Sequence, residues 1–161
     1  TCDVAMHQLH LTDQLIDGFN SLAHVRPPLR DEQDKALLRQ GVKEGVIDAI
    51  CTHHEPLSSS AKMAPFAETQ PGFTAFDTFI PFGVQLVNDG LLEPLEWVKK
   101  VTLQPAIVAQ MQTRWEQEAG WVLVDPELEW TITKDSIVSN GKNTPLIGAT
   151  VKGKALVTFK A

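Results

Sequence analysis

Apolar residues group into short runs and longer periodic stretches along this chain. Short apolar runs at Cys2–Met6 and Val46–Thr52 are typical of buried strands. Between them, Leu37, Leu38 and Val42 recur at the spacing of one face of a helix. The pattern therefore predicts a strand, a helix and a second strand, which together form a βα unit with parallel strands.

Local signals mark where the helices begin and end. Asp31 is a suitable N-cap for the first helix, and Gly45 stands where glycine commonly ends one. After the second strand, a polar loop leads to a second helix that ends before Gly90. Pro94 suits the first turn of the helix that follows, because proline needs no amide donor there. The spacing predicts three further helices, at 76–87, 95–101 and 105–111.

Beyond Gly120 the pattern changes to alternation, which is typical of strands. Three short strands are predicted at 121–124, 129–133 and 149–159, with Asp-Pro and Asn-Gly turns between them. The chain thus divides into βα units at 1–118 and an all-β tail at 119–161. Two βα units cannot close a barrel, which takes roughly 250 residues in its complete eightfold form.

Composition limits the functional classes. The 161 residues carry a net charge of −6 with a pI near 5.3, and no cluster of basic residues offers a nucleic-acid surface. Apolar runs are too short to cross a bilayer, and no leader sequence opens the chain. Cys2 and Cys51 lack metal-type spacing and are predicted to be reduced, buried thiols, as in a cytoplasmic protein.

The strongest chemical candidate follows the second predicted strand, where His53, His54 and Glu55 come directly after the apolar run. Side chains at the carboxyl end of a buried parallel strand commonly line the functional site. Histidine serves as a metal ligand and as a proton carrier near neutral pH. This loop is therefore predicted to lie at the site.

Several motifs, in the same order over nearly the whole chain, resemble those of dihydroorotases of the amidohydrolase superfamily. The resemblance rests on His7…Leu11-Thr12-Asp13, Val25–Arg30, Gly45–Pro56, Pro65–Glu68, Asp125-Pro126…Glu129-Trp130 and Lys142–Pro145. It implies an α/β fold, namely the C-terminal part of a metal-dependent (β/α)8 barrel with strands 7 and 8 and their helices, plus a small β-sandwich tail. The family's paired-histidine metal motif and its bridging group would lie upstream of this sequence.

Three positions depart from the family pattern. Where the family has Asp-His-Ala-Pro-His, this chain has His53 in place of the aspartate that binds metal and takes the proton from water. Leu57 replaces the last histidine, which contacts substrate, and Arg26 replaces the substrate-contacting asparagine of the proline loop. His7 and Arg30 match family positions near the barrel mouth and are candidate substrate-binding residues. A hydrogen-bonded structural role is the alternative for His7, and a solvated or ion-paired arginine is the alternative for Arg26.

These departures indicate a catalytically inactive copy. An imidazole at His53 brings no negative charge to a metal, and Leu57 cannot form a hydrogen bond. On this interpretation the chain itself holds no cofactor, whereas zinc would be required if the family activity is retained. The alternative is an active zinc-dependent dihydroorotase whose remaining ligands lie upstream. A third possibility is another ring-opening amidohydrolase, in which Arg26 reads a different anion.

Two other assignments remain open in the sequence. A metal site could combine His7, His10, His53 and His54 if the two strands are neighbours. Four tryptophans are predicted to pack between barrel and tail rather than to bind a ligand, namely Trp97, Trp115, Trp121 and Trp130.

The resemblance also implies a partner. Some degenerate dihydroorotase homologues form a mixed assembly with aspartate carbamoyltransferase and support its structure. Independently, two βα units leave parallel strand edges uncovered. The chain is therefore predicted to be a piece of a longer protein, or to pair with a missing N-terminal part or with copies of itself.

Overall fold

A computed structural model describes residues 1–111 and 120–159 of the chain. Trp115 and the predicted boundary at 118/119 lie outside the described residues. The longest helices have 13 residues, and no helix of the described part is long and apolar enough to cross a membrane. The elements are β1 (Asp3–Ala5), α1 (Glu32–Glu44), β2 (Ala49–Cys51), α2 (Phe76–Asn88), α3 (Pro94–Val101), α4 (Leu103–Val108), β3 (Trp121–Thr131) and β4 (Thr150–Phe159).

The first two strands form the parallel pair that the sequence predicts. Val4 of β1 lies opposite Ile50 of β2, and both side chains are buried. Each strand has only three residues, which is shorter than the apolar runs suggest. Helix α1 connects the two strands, so the predicted βα unit is confirmed.

Helix α1 begins and ends where its local signals predict. The Asp31 side chain accepts a hydrogen bond from the Asp34 amide at 2.8 Å, and Gly45 adopts a left-handed φ of 78° after the last turn. The predicted apolar face is partly wrong, because Leu37 is 58% exposed whereas Val42 is buried. Leu37 and Leu38 are neighbours in sequence, so about 100° of helix rotation separates their side chains.

The main core lies between the two-stranded sheet and helices α1 and α2. It joins side chains from both strands to Val42 of α1 and to Phe82 and Leu86 of α2. A second cluster around Phe73 supports the loops beside the strand ends. These two clusters fix the carboxyl end of β2, where the candidate residues lie.

Helix α2 packs closely on α3 through a glycine. A Cβ atom added at Gly83 would lie 2.1 Å from the Trp97 ring, so this contact requires a residue without a side chain. We expect Gly83→Ala to lower the free energy of unfolding by about 2 kcal/mol, because overpacking outweighs the gain in helix propensity. Urea denaturation of the two proteins gives this difference.

Gly41 of α1 is the matched control. A Cβ atom there would meet only the tip of the Ile47 side chain, at 3.3 Å, which can move aside. Gly41→Ala is expected to leave stability unchanged or to raise it by up to ~1 kcal/mol. Equal losses for Gly41→Ala and Gly83→Ala would show that close packing against Trp97 does not govern the response.

Strands β3 and β4 form an antiparallel hairpin, which packs on α2 where Gly153 approaches Val84. The prediction of two separate strands at 121–124 and 129–133 is wrong. The backbone passes through Asp125-Pro126 as an irregularity within the single strand β3, where the register with β4 shifts. Proline is compatible with such a bulge, since it lacks the amide donor that the ladder would use.

The tryptophans do not share one role. Trp97 packs on α2, and the Trp130 indole donates to the Gly153 carbonyl at 3.0 Å within the hairpin. Trp121 is 75% exposed, so the prediction that it packs between barrel and tail is wrong. The contact of Trp97 that the structure shows is with helix α2.

Both cysteines of the chain are free thiols, but only one is shielded from solvent. Cys2 is exposed, contrary to the prediction that it is buried. Burial raises the pKa of the half-buried Cys51 to about 12, and Asp3 beside it acts in the same direction. Cys51 therefore stays protonated and is a poor nucleophile at neutral pH.

Candidate functional site

The predicted site residues His7 and His53 lie together where β1 and β2 end. Their rings meet edge-on with centres 6.0 Å apart. His53 directly follows the strand and has a left-handed φ of 48°, and its Nδ1 atom is 4.0 Å from a Glu55 carboxylate oxygen. The parallel pairing of the two strands therefore brings His7 and His53 together, which the sequence could only suggest.

His7 occupies an apolar position under this loop. The side chain is 2% exposed, its ring lies 5.0 Å from that of Phe73, and its Nδ1 atom has no hydrogen-bond partner among the described residues. Burial, assisted by the neighbouring His53, lowers the pKa of His7 to about 4. His7 is therefore a neutral, packed imidazole at physiological pH.

The buried neutral state of His7 makes stability depend on pH. The unfolded chain binds a proton at this residue below about pH 6.5, whereas the folded chain does so only near pH 4. Acidification from pH 7 to pH 4 should therefore remove about 3 kcal/mol of unfolding free energy through His7 alone.

The test compares urea denaturation at pH 7 and at pH 4. Replacing His7 with Phe removes the titrating group and keeps an aromatic ring of similar shape, so the loss on acidification should shrink by about 3 kcal/mol. His10, whose pKa burial also lowers to about 4, is present in both proteins and cancels in the comparison. The same acid sensitivity in both proteins would contradict this assignment.

His54 performs a structural role that the sequence did not reveal. Its Nδ1 atom accepts hydrogen bonds from the amides of Ala75 and Phe76 at 3.0 and 3.1 Å, at the beginning of α2. Because Nδ1 accepts, the proton resides on Nε2, which lies 3.1 Å from Ser139 Oγ. Burial lowers the pKa of His54, which favours this neutral form. His54 thus caps a helix and links it to the tail.

The hypothesis of a metal site built from four histidines is wrong. His54 uses both nitrogens within the fold, and the His10 ring stacks on Phe82 with centres 4.3 Å apart. No group of three or more His, Cys, Asp or Glu side chains within 1–111 and 120–159 is arranged to hold a metal ion. A catalytic zinc needs three protein ligands, and His7 and His53 supply at most two nitrogens. The described residues alone do not fit a zinc site.

Leu57 lies at the far end of the same loop and is half-buried. Its amide donates to Asn143 Oδ1 at 2.7 Å, and the Asn143 side-chain amide donates to the Glu55 carbonyl at 2.9 Å. The Thr74 hydroxyl lies 2.7 Å from the same Oδ1 atom. The buried Asn143 of the tail therefore holds the loop after β2 at two points, Glu55 and Leu57.

The two arginines of the proline loop differ in position. Arg30 borders the same cavity of about 480 Å³ as His53, and its Nε atom donates to Asp34 at 2.8 Å. Arg26 is exposed and does not line this cavity. The buried Gln8 side chain donates to the Pro27 carbonyl at 2.9 Å and so holds the loop in place. The structure brings Arg30 near His53 and leaves Arg26 in solvent.

Curated bacterial relatives match nearly the whole of this chain. A dihydroorotase-like protein of Pseudomonas aeruginosa is 40% identical over 162 residues, which are 99% of this chain and 38% of the relative. A dihydroorotase of Trichlorobacter lovleyi is 35% identical over 162 residues, which are 98% of this chain and 38% of the relative. The chain thus spans well under half the length of the curated relatives it matches. No family model matches the chain.

Solved structures show the same fold. The L-hydantoinase (dihydropyrimidinase) from Arthrobacter aurescens matches with a TM-score of 0.87 at 20% identity, over 99% of this chain and 37% of the other. An inactive dihydroorotase-like domain of the Chaetomium thermophilum CAD-like multifunctional protein matches with a TM-score of 0.65 at 20% identity, over 99% of this chain and 42% of the other. The predicted fold class, the C-terminal part of an amidohydrolase fold, is confirmed.

Proposed function

The chain corresponds to the C-terminal part of the dihydroorotase-like amidohydrolases. We propose that it is part of a protein of this group that has no catalytic activity. The protein would act in de novo pyrimidine biosynthesis in the cytoplasm without opening the dihydroorotate ring itself. Names of the relatives support the pyrimidine pathway, since they are called dihydroorotase or dihydroorotase-like protein. The non-catalytic role rests on the residues of the loop after β2.

The central observation is the environment of His53. At the position that the resemblance assigns to a metal-binding aspartate, the chain places an imidazole edge-on against the buried, neutral His7. In the family chemistry that the resemblance implies, a carboxylate at this position would add negative charge beside a metal and would accept a proton from the attacking water. His53 supplies no negative charge. At the second position, Leu57 offers no polar atom in its side chain.

The supporting framework of the loop is intact, which favours a retained structural purpose. Asn143 holds the backbone at Glu55 and Leu57, and His54 caps α2. Gly141 allows this close approach, because a Cβ atom there would lie 2.5 Å from the Leu57 amide nitrogen. The loop therefore keeps a defined conformation although its reactive positions have changed.

The alternative function is an active zinc-dependent dihydroorotase, in which the remaining metal ligands come from sequence upstream of this chain. The relative from Trichlorobacter lovleyi, which bears the name dihydroorotase, favours this alternative. The possibility of a different ring-opening amidohydrolase in which Arg26 selects the anion is weaker, because Arg26 does not border the cavity beside His53.

An assay of the natural protein that carries this sequence tests the proposal. The zinc-loaded protein is incubated with dihydroorotate and with carbamoyl-aspartate, next to the Trichlorobacter lovleyi dihydroorotase as a positive control. We expect ring opening and ring closure at the level of the protein-free blank. Turnover comparable to the positive control would contradict the non-catalytic role and establish the alternative.

We propose that the protein binds aspartate carbamoyltransferase. The alternatives are that it associates with copies of itself or that this chain pairs with an N-terminal part. The two-stranded β1–β2 sheet supports association, because among the described residues each strand pairs only with the other. The hairpin adds an exposed apolar patch, because Trp121 and Leu123 of β3 lie opposite Phe159 and Val157 of β4 and all four residues are exposed. Such surfaces commonly mark interfaces.

Sedimentation velocity distinguishes the arrangements. The natural protein is mixed with aspartate carbamoyltransferase from the same organism, and each protein is also run alone. We expect a faster boundary that contains both proteins. Two boundaries that keep the positions of the separate proteins would contradict this partner, and a faster boundary of the natural protein alone would show self-association instead.

A further inference from the structure

A second cavity, of about 560 Å³, lies between the loop after β2 and the tail. It is separate from the cavity beside His53, since of the predicted site residues it includes Leu57 but not His7, Arg26, Arg30 or His53. Its volume lies in the range of small-molecule sites. The lining combines apolar side chains, hydroxyl and amide groups, and lysines, namely Ser21, Leu22, Leu57, Ser59, Lys62, Met63, Lys134, Asn140, Lys142, Asn143, Thr144 and Ile147.

The charge of this lining is opposite to that of the whole chain. Lys62, Lys134 and Lys142 border the cavity, and none of the described residues that line it is an aspartate or glutamate. The complete sequence carries 20 acidic and 14 basic residues, so the lining differs in sign from the chain as a whole. The Lys142 ammonium group also donates to the Ile137 carbonyl. A wall with three cationic groups attracts an anion.

Lys62 provides the second, independent observation. It is 6% exposed, and its Nζ atom donates to the carbonyls of His24 and Gln70 at 3.0 and 2.7 Å. No carboxylate of the described residues lies within 4.0 Å of this ammonium group. An ammonium group has three donors, so these two carbonyls leave one. Burial lowers the pKa of Lys62, and the charge of Glu55 offsets this shift only in part. An anion in the cavity would favour the charged form of Lys62 further.

We propose that this cavity binds a small organic phosphate. The phosphate group would lie among the three lysines, and an uncharged apolar body would contact Leu22, Leu57, Met63 and Ile147, which complete the wall. Phosphate is favoured over carboxylate because lysines bind it as point charges, whereas planar carboxylates are usually held by the paired donors of arginine. The proposal does not depend on whether the protein hydrolyses dihydroorotate.

Calorimetric titration of the natural protein with phenyl phosphate tests the site, with benzoate and inorganic phosphate as comparison probes. Phenyl phosphate carries both the charged group and the apolar body, so it should bind more tightly than either comparison probe. Added salt should weaken binding, because it screens the lysines. No turnover is measured, so failure here is distinct from failure of the proposed function.

Lys134→Gln is the key variant, because Lys134 is exposed and makes no side-chain hydrogen bond or ion pair among the described residues. We expect its affinity for phenyl phosphate to fall roughly tenfold, which corresponds to one charge-assisted contact. Lys134→Arg should retain most of the affinity. Lys99→Gln, on the exposed side of α3 and away from the cavity, is the matched control and should bind like the unmodified protein.

Three results would overturn the proposal. These are no saturable binding of phenyl phosphate at millimolar concentration in low salt, equal losses for Lys99→Gln and Lys134→Gln, or benzoate binding as tightly as phenyl phosphate. Circular dichroism of each variant tests whether the fold is retained, and only a folded variant is used to compare affinities.

Discussion

Replacing Asn143 with alanine is expected to lower the free energy of unfolding by about 4 kcal/mol. The side chain is 3% exposed and joins two parts of the chain that are far apart in sequence. Its loss leaves the Leu57 amide and the Glu55 carbonyl without their partners. Both hydrogen bonds are partly buried, so each lost partner costs about 1–2 kcal/mol. The removed side chain is itself buried and leaves a cavity, which supplies the rest of the loss.

Asn140 is the matched control for this substitution. It lies in the same loop three residues earlier, but its side chain is exposed and makes no hydrogen bond among the described residues. Asn140→Ala is expected to change stability by no more than about 0.5 kcal/mol. Urea denaturation of both variants measures the difference. A loss for Asn143→Ala no larger than that for Asn140→Ala would show that the tail does not hold the loop.

Features of the fold that depend on neighbouring residues were predictable from the sequence. Asp31 and Gly45 mark the ends of α1 because capping is decided within a few residues. The parallel strand pair followed from two apolar runs separated by a helix. The positions of His7 and His53 near one another followed in turn, since parallel strands end at the same edge of a sheet.

Interactions between distant residues could not be predicted in this way. His54 caps α2 from 21 residues away, and Asn143 binds the loop from 86 residues away. Neither residue carries a local signal for these contacts, because histidine and asparagine are common in solvated loops. The Lys142–Pro145 motif marked this region through the family resemblance alone. The cavity bordered by Lys62, Lys134 and Lys142 could not be predicted either, because these residues line one cavity only in the folded chain.

The continuity of strand β3 also could not be predicted from neighbouring residues. Asp-Pro is a common turn signal, yet β3 continues through Asp125-Pro126 with a shift in register. Pairing with β4 supplies enough hydrogen bonds on both sides to keep the strand continuous. The burial of Leu37 was predicted wrongly for a different reason. The periodic pattern fits a helix face, but it does not decide which of two adjacent leucines is buried.

The second large effect is expected when the family residues are restored at positions 53 and 57, and it concerns the rate of dihydroorotate hydrolysis. In the natural protein that carries this sequence, His53→Asp combined with Leu57→His is expected to raise dihydroorotate hydrolysis by about 10² or more. Aspartate at position 53 would supply the missing negative charge and a proton acceptor. Histidine at position 57 would replace a hydrocarbon with a group that hydrogen-bonds the substrate.

The charge of the carboxylate can be separated from its shape. His53→Asn combined with Leu57→His places a side chain of the same size as aspartate at the loop, without a negative charge. We expect this variant to remain inactive. Activity equal to that of the aspartate variant would show that the carboxylate is not the missing element. Denaturation curves of both variants test whether each protein is folded at the assay temperature.

The most direct measurement is the rate of dihydroorotate ring opening by the zinc-loaded natural protein, recorded beside the His53→Asp, Leu57→His variant. We expect the unmodified protein to stay at the level of the blank, at least about 10² below the restored variant. An unmodified protein that opens the ring as fast as the restored variant would contradict a non-catalytic role.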